Sequence, residues 1–386
     1  MRRIQALKRL ERLLSSFPNE DVPNVLPALL RGDRVYLLGA NSFVGRAFAV
    51  PIAQYLLEKN KQVVLVDDTM QQSPLEGCSL IGTQGFAGIS GSGGVAVNLA
   101  NAAYAHGFFA MLAARVGMAT LDAIPVLDAL DLPVIYQTAS VMRRTTLARL
   151  DDYLSLAGKL DDDFSVETLG ACLKLRMTLE RSAVLPVLCS LEDEYFSPLP
   201  AGKDVTFALG ENEILCDVGA CVGATINKFL AATHWGYKAI YAFEPDGINY
   251  AAMGKGIFPY LHDFHPRNMA LSDARGTLRF AETGTMGSRL LETGGVEVPV
   301  STLDDEVPHA TFLKMDVEGH ETKILEGARR LIGQSKPRMA ITGYHYADDL
   351  LNIAQLVHEI EPRYRLRLRH HSFWYYDTIL YADIPQ

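Results

Sequence analysis

The stretch EILCDVGACVGATINKFLAATHWGYKAIYAFEPD, Glu213 to Asp246, reads as strand, turn, helix, strand. Ile214-Leu215-Cys216 is a short apolar run of the kind a buried parallel strand gives. It runs into Asp217-Val218-Gly219-Ala220-Cys221-Val222-Gly223, and a helical pattern begins at Thr225 to Phe229. A second apolar run, Ala239 to Phe243, stops at Glu244-Pro245-Asp246. A glycine turn lets backbone approach a ligand, and the helix after it offers free N–H groups at its positive end. An acid at the tip of the next strand is placed to accept both hydroxyls of a ribose. Gly219 and Gly223 do not make the three-glycine dinucleotide fingerprint. A ligand with a ribose and an amino-acid tail suits this turn better than a pyrophosphate. The bland rival is an ordinary turn between a strand and a helix.

Composition bounds the rest. A chain of 386 residues is too long for one ordinary core and suggests two domains or three. Hydrophobic residues at 48% and charged residues at 21% are those of a soluble globular protein. A net charge of -9 argues against nucleic acid as a partner, since that needs basic surface to replace counterions. The five cysteines are scattered, with no metal spacing, and read as a reducing, cytoplasmic setting. No apolar run reaches the roughly 20 residues a membrane helix requires.

Residues 1–32 are read as an N-terminal amphipathic helix and its tail. Ile4, Leu7, Leu10, Leu13 and Leu14 share one face, and interspersed charges deny the segment a signal-type core. Such a helix packs on its own domain or on a partner in a homo-oligomer, with membrane-surface binding the lesser reading. Residues 33–139 are read as a Rossmann-like domain. Arg34 to Asp68 gives strand, turn (Gly39 to Gly45), helix, and a strand ending at Asp67-Asp68. The turn resembles the phosphate loop of extended short-chain dehydrogenases, but Ser42 stands where the middle glycine belongs. The pair Tyr55 and Lys59 has the spacing such enzymes use, but lies inside the first helix. Val63 to Asp68 also resembles the small N-terminal domain of sugar acyltransferases. A nucleotide or sugar pocket here competes with a Rossmann-like half that binds nothing. Gly77 to Gly94 reads as a surface loop, and Ile124 to Ile135 as the closing strand of this domain. Residues 140–200 are read as a helical bridge whose charged clusters, Asp151-Asp152 and Asp161 to Asp163, are solvated faces.

Residues 201–386 form the second domain. From Ile214 to Ala382 this domain resembles the FkbM family of S-adenosylmethionine-dependent methyltransferases. The separated strings that carry the likeness are DVGACVG (with Cys221 where Asn is usual), FEPD, NMALSDARGTLRF, VPVSTLDD, FLKMDVEGHETKILEGARRLI, YHYADDL and LRHHSFWYYDTILYA. The resemblance implies an α/β fold: a class I methyltransferase, Rossmann-like doubly wound sheet with an antiparallel last strand. It implies that Asp217, Gly219 and Gly223 line the methionine end of S-adenosylmethionine and that Glu244 holds the ribose. Ser272 and Asp273 would sit beside the adenine. Asp316, Glu318 and Gly319 would lie at the tip of the strand Phe312 to Met315, where the methyl group meets its acceptor.

In a doubly wound sheet, ligands gather at the carboxyl ends of the strands beside the switch point. Methyl transfer to a hydroxyl is helped by a general base, and Asp316, Glu318 and His345 are the candidates, with His320 beside them. Against this, Asp316 can be a turn-forming acid, Glu318 a helix cap, and either histidine structural. No metal site is expected from His262, His265, His370 and His371, whose spacings do not converge on an ion; a cation on the carboxylates at the tip is the minority alternative. Arg363, Arg365, Arg367 and Arg369 alternate on one strand face. They read as a solvent face guarding an outer strand, or as a row facing an anionic substrate or an interdomain carboxylate. The expected activity is S-adenosylmethionine-dependent O-methylation of a hydroxyl on a sugar, glycan or natural-product small molecule. The rivals are an NAD(P)-dependent oxidoreductase built on Gly39, Gly45 and Asp67, and a non-catalytic binding protein.

Overall fold

The computed structural model describes residues 2–384 apart from 20, 42, 90–93, 197–208, 257, 285–288 and 292–294, so Ser42 lies outside the described residues. The first half builds a five-stranded parallel sheet in the order β3-β2-β1-β4-β5. Its strands are β1 (Arg34–Leu38), β2 (Gln62–Val66), β3 (Cys78–Ile81), β4 (Gly94–Asn98) and β5 (Ala119–Asp122). β1 and β2 are joined through the helix Phe43–Glu58. The apolar runs of β1, β2 and β4 are buried over four consecutive residues each, as strands covered on both faces must be.

Two readings of this half are corrected. Gly77 to Gly94 is not a plain loop: it contains β3 and the short helix Thr83–Ala87, with 90–93 outside the described residues. Ile124 to Ile135 is not the closing strand. Asp122 ends β5 and its carboxylate accepts the Ile124 N–H at 3.0 Å, which starts the helix Ala123–Ala129. Pro125 falls in the first turn, where the missing N–H costs nothing.

The second half builds a seven-stranded sheet in the order β15-β16-β14-β13-β6-β7-β8. It comprises β6 (Ile214–Val218), β7 (Ala239–Phe243) and β8 (Phe264–Arg267). A separate four-stranded sheet follows in sequence, from β9 (Ala270–Leu271), β10 (Gly276–Ala281), β11 (Arg289–Leu291) and β12 (Val296–Ser301). The main sheet is completed by β13 (Phe312–Met315), β14 (Arg338–Thr342), β15 (Arg365–His370) and β16 (Thr378–Asp383). β6, β7, β8, β13 and β14 run parallel, and β16 is antiparallel to β14 and β15. This is a doubly wound α/β sheet that switches between β6 and β13.

The helices Ala139–Ala148, Leu150–Lys159 and Asp163–Thr178 do more than bridge. Tyr153, Leu156, Leu169 and Leu173 share one core with the C-terminal sheet and with Leu10, Leu14 and Phe17 of the N-terminal segment. Of the apolar face read in helix Arg2–Ser16, Leu10 and Leu14 are buried while Ile4 is 60% exposed. The aspartates of the bridge are not simply solvated. Arg367 reaches Asp161 at 3.0 Å and Asp383 at 2.8 Å, and Arg369, nearly buried, reaches Asp162 at 3.1 Å. The row on β15 is therefore an interdomain clamp, and the solvent-face reading is corrected. In the other direction Trp374, fully buried, stacks on Phe48 at 5.0 Å, and its indole N–H donates to the Val134 carbonyl.

Candidate active site

A cavity of about 690 Å³ opens at the carboxyl ends of β6, β7 and β13. Its floor is the turn after β6. Gly219 has φ +78 and a Cβ there would lie 1.9 Å from the Asp316 carbonyl oxygen, so only glycine lets the β6 and β13 tips touch. Gly223, at φ +87, leads into the helix Ala224–Ala232, and a Cβ there would strike Phe258 at 2.5 Å. Glu244, at the tip of β7, accepts the Cys221 N–H at 2.7 Å and the Asp246 N–H at 2.9 Å. Burial nonetheless pushes its carboxyl up to about 7. It lines the cavity as a buried carboxylate with one backbone N–H on each oxygen.

Asp217 does not line the cavity. It is fully buried on β6 and ion-paired at 3.0 Å to Lys314, which itself lies on β13. Lys314 also donates to the Gly219 carbonyl at 2.7 Å. Burial alone would lower the pKa of Lys314, but Asp217 and Asp316 hold it above the ordinary lysine range. The acid at the end of β6 thus pins the lysine that pins the glycine turn. Ser272 and Asp273 also stand back. Ser272 is bonded to Asp273 and to His320 at 3.0 Å each, and Asp273 turns outward to Lys323 at 2.8 Å. The wall they were expected to form is made instead by Met269, Ala270, Leu271 and Phe280.

At the tip of β13 the catalytic candidates come together. Asp316 and Glu318 both line the cavity, and Glu318 is held at φ 59. Asp316 accepts from the Tyr195 hydroxyl at 3.1 Å and from Thr342 at 3.2 Å. Glu318 accepts from the hydroxyl of Tyr136, contributed by the N-terminal half, and so does not cap the helix Glu321–Glu326. His345 is fully buried between them, with Nε2 3.2 Å from Glu318 and 3.5 Å from Asp316, and Nδ1 3.1 Å from Glu321. Burial works against its charge, but Glu321 and Glu318 raise its pKa well above the imidazole range. His345 thus spans the two cavity carboxylates and Glu321 behind them. His320 is different: burial lowers its pKa, and it bonds to Ser272 away from the carboxylates.

Asp316, Glu321 and His345 bring one ligand atom each within 4.8 Å of one another, a grouping the histidine spacings did not foretell. Glu321 is already engaged: its Oε1 accepts from the Val317 N–H at 3.1 Å and lies 3.0 Å from the Thr342 hydroxyl. The other histidine pairs are structural. His262 and His265 stack on Tyr237 and Tyr241, while burial pushes His370 down to about 3 and His371 down to about 4.

The turn of the N-terminal half packs closely on its own domain: a Cβ on Gly39 would meet Phe109 and Ala100 at 3.0 and 3.1 Å, and Asp67 caps its own turn through Thr69 and Met70. Sequence reasoning missed Lys314, Tyr136, Tyr195, Glu321 and Asp377. A lone lysine between apolar strand residues was a readable sign of a buried ion pair. Tyr136 and Asp377 carried no local signal.

A parallel sheet with an antiparallel strand pair at one edge, a glycine turn after its central strand and an acid at the next strand tip define the class I methyltransferase fold. Residues 217–371 match the family model described as the methyltransferase FkbM domain. The whole chain is similar in fold to the crystal structure of methyltransferase FkbM from Methylobacillus flagellatus KT. The identity is 23%, 98% of this chain and 100% of that chain are covered, and the TM-score is 0.75. Precorrin-6y C5,15-methyltransferase from Geobacter metallireducens GS-15 overlaps 46% of this chain and 82% of its own, at 12% identity and TM-score 0.31. No curated protein matches the sequence. Among the described residues no helix is long and apolar enough to cross a membrane.

Proposed function

We propose that the protein transfers the methyl group of S-adenosylmethionine to a hydroxyl of a small-molecule, sugar or glycan acceptor. The observation that carries this reading is Glu244, a buried carboxylate at the second strand tip, in one cavity with Asp316 and Glu318 at the fourth. Glu244 would accept the ribose hydroxyls, the backbone at Gly219 would meet the methionine end, and Met269 to Leu271 would cover the adenine. When bound, the cofactor supplies an electrophilic methyl on a sulfonium whose sulfur leaves as a neutral thioether. The acceptor oxygen gains the new bond as its proton passes to Asp316 or Glu318. Tyr195 and Tyr136 orient these carboxylates, and His345 lies between them.

The test is calorimetric binding of S-adenosylmethionine and S-adenosylhomocysteine. Binding near micromolar, about 8 kcal/mol, is expected, with collapse in Glu244→Ala. Because the carboxyl of Glu244 sits up to about 7, it loses acceptor capacity as the pH falls through that value, so affinity should weaken from pH 8 to pH 6. Failure of the intact protein to bind either compound sinks the reading.

A further inference from the structure

We infer that Asp246 is a positioning residue for the cofactor: its carboxylate latches the separate four-stranded sheet to the tip of β7, so that Phe280 and Glu244 act on one ligand. This rests on the methyltransferase reading and assigns to that site a residue acting through its neighbours.

One wall of the cavity is not built on the main sheet. Ala270 and Leu271 come from β9 and Phe280 from β10, both strands of the separate sheet. That sheet is anchored through β9, whose Leu271 belongs to the core of the main sheet. Val300 of β12 pairs with both Ala270 and Gly276, whereas Phe280 pairs with Val296. Phe280 thus stands four residues along β10 from Gly276, roughly 13 Å at the rise of a strand. The sheet's own buried cluster is only Ala270, Phe280, Val298 and Val300 among the described residues. An element with few buried apolar contacts opens easily, so its outer end needs another hold.

Asp246 supplies that hold. It is fully buried, and its two oxygens serve different elements. Oδ1 accepts the Ile248 and Asn249 N–H groups at 2.8 and 3.0 Å and so starts the helix Gly247–Met253. Oδ2 accepts the Thr283 and Gly284 N–H groups at 2.9 Å each, just beyond the end of β10. Its main-chain N–H donates to Glu244 at 2.9 Å. One residue therefore joins the acid proposed for the ribose to the strand that carries Phe280. A second tie runs the other way, where the exposed Glu282 accepts the Gly247 N–H at 2.7 Å. Gly284, at φ +64, permits the approach, since a Cβ there would lie 2.9 Å from Ile248. A helix cap needs only the first oxygen. The latch is the work of the second.

Two variants of the full chain separate these roles. Asp246→Ser keeps a good cap but has one oxygen for two elements. Glu282→Ala removes an exposed side chain and only the second tie. S-adenosylhomocysteine is the probe, with calorimetry for affinity, thermal melts for stability and hydrogen exchange for residues 277–284. In the unaltered protein the ligand should slow exchange across that segment. Asp246→Ser should weaken binding about tenfold or more, lose that slowing, and exchange the Thr283 and Gly284 amides faster without ligand. Glu282→Ala should weaken binding about threefold with an unchanged melt. Binding within about twofold of the unaltered protein in both variants overturns the inference. So does ligand-induced slowing that survives in Asp246→Ser. If Asp246→Ser does not fold, Glu282→Ala decides alone. An unaltered protein that binds no S-adenosylhomocysteine fails the methyltransferase reading and this inference with it, whereas normal binding untouched by either variant fails the inference only.

Discussion

Asp217 and Lys314 show how a strand-end acid can matter without touching a ligand. Both are almost wholly removed from water, so each charge is tolerable only because of the other. Lys314→Met should leave Asp217 as an unpaired buried carboxylate and cost about 3–5 kcal/mol. The double variant Lys314→Met with Asp217→Leu should recover most of that loss. Urea unfolding of the three proteins checks it, and equal midpoints for the single and double variants would refute the pairing. The motif itself was legible: glycines at 219 and 223 and an acid at 244 are spaced by backbone geometry, which sequence records directly. What the acid at 217 faces was not, because its partner lies 97 residues away and no local pattern joins the two strands.

At the scale of elements, the alternating arginines of β15 announced a strand but not its neighbour. Period two sets which side chains share a face, whereas the charge on the opposing surface comes from residues about 200 positions earlier. Arg369 is nearly buried, lies over the Phe164 ring at 4.9 Å, and donates to Asp162 and to the Ser165 hydroxyl. Arg365 is more than a third exposed. Arg369→Ala should therefore cost several kcal/mol, through two stranded partners and a lost packing surface. Arg365→Ala should cost about 1 kcal/mol or less, as solvent-screened pairs do. Thermal melts of the two variants settle the order, and near-equal losses would return β15 to the solvent-face reading. The same limit explains the missed helix Ala123–Ala129. Its apolar run with two prolines fits a strand until Asp122 is seen capping Ile124.

For the whole molecule, the N-terminal half is part of the active site. Its sheet turns its own carboxyl edge toward the methyltransferase cavity, so Ala47 and Phe48 of the helix after β1 and Asn101 of the loop after β4 line the same space as Glu244 and Asp316. The first turn, which has the form of a nucleotide loop, packs closely on Phe109 and Ala100. Tyr136 carries the coupling furthest, because its hydroxyl reaches Glu318 across the boundary between the halves. Among the described residues, removing that hydroxyl leaves Glu318 with His345 as its remaining partner and free to rotate out of line. Misplaced catalytic groups lose rate through orientation rather than through cofactor affinity. Tyr136→Phe should therefore keep S-adenosylhomocysteine binding within about twofold while lowering kcat/KM for an acceptor about tenfold or more, a loss near 1.4 kcal/mol of transition-state stabilisation. Parallel calorimetry and turnover make the comparison. If binding falls with rate, Tyr136 supports the cofactor pocket. If neither changes, the N-terminal half is a scaffold beside the chemistry and not a wall of the site.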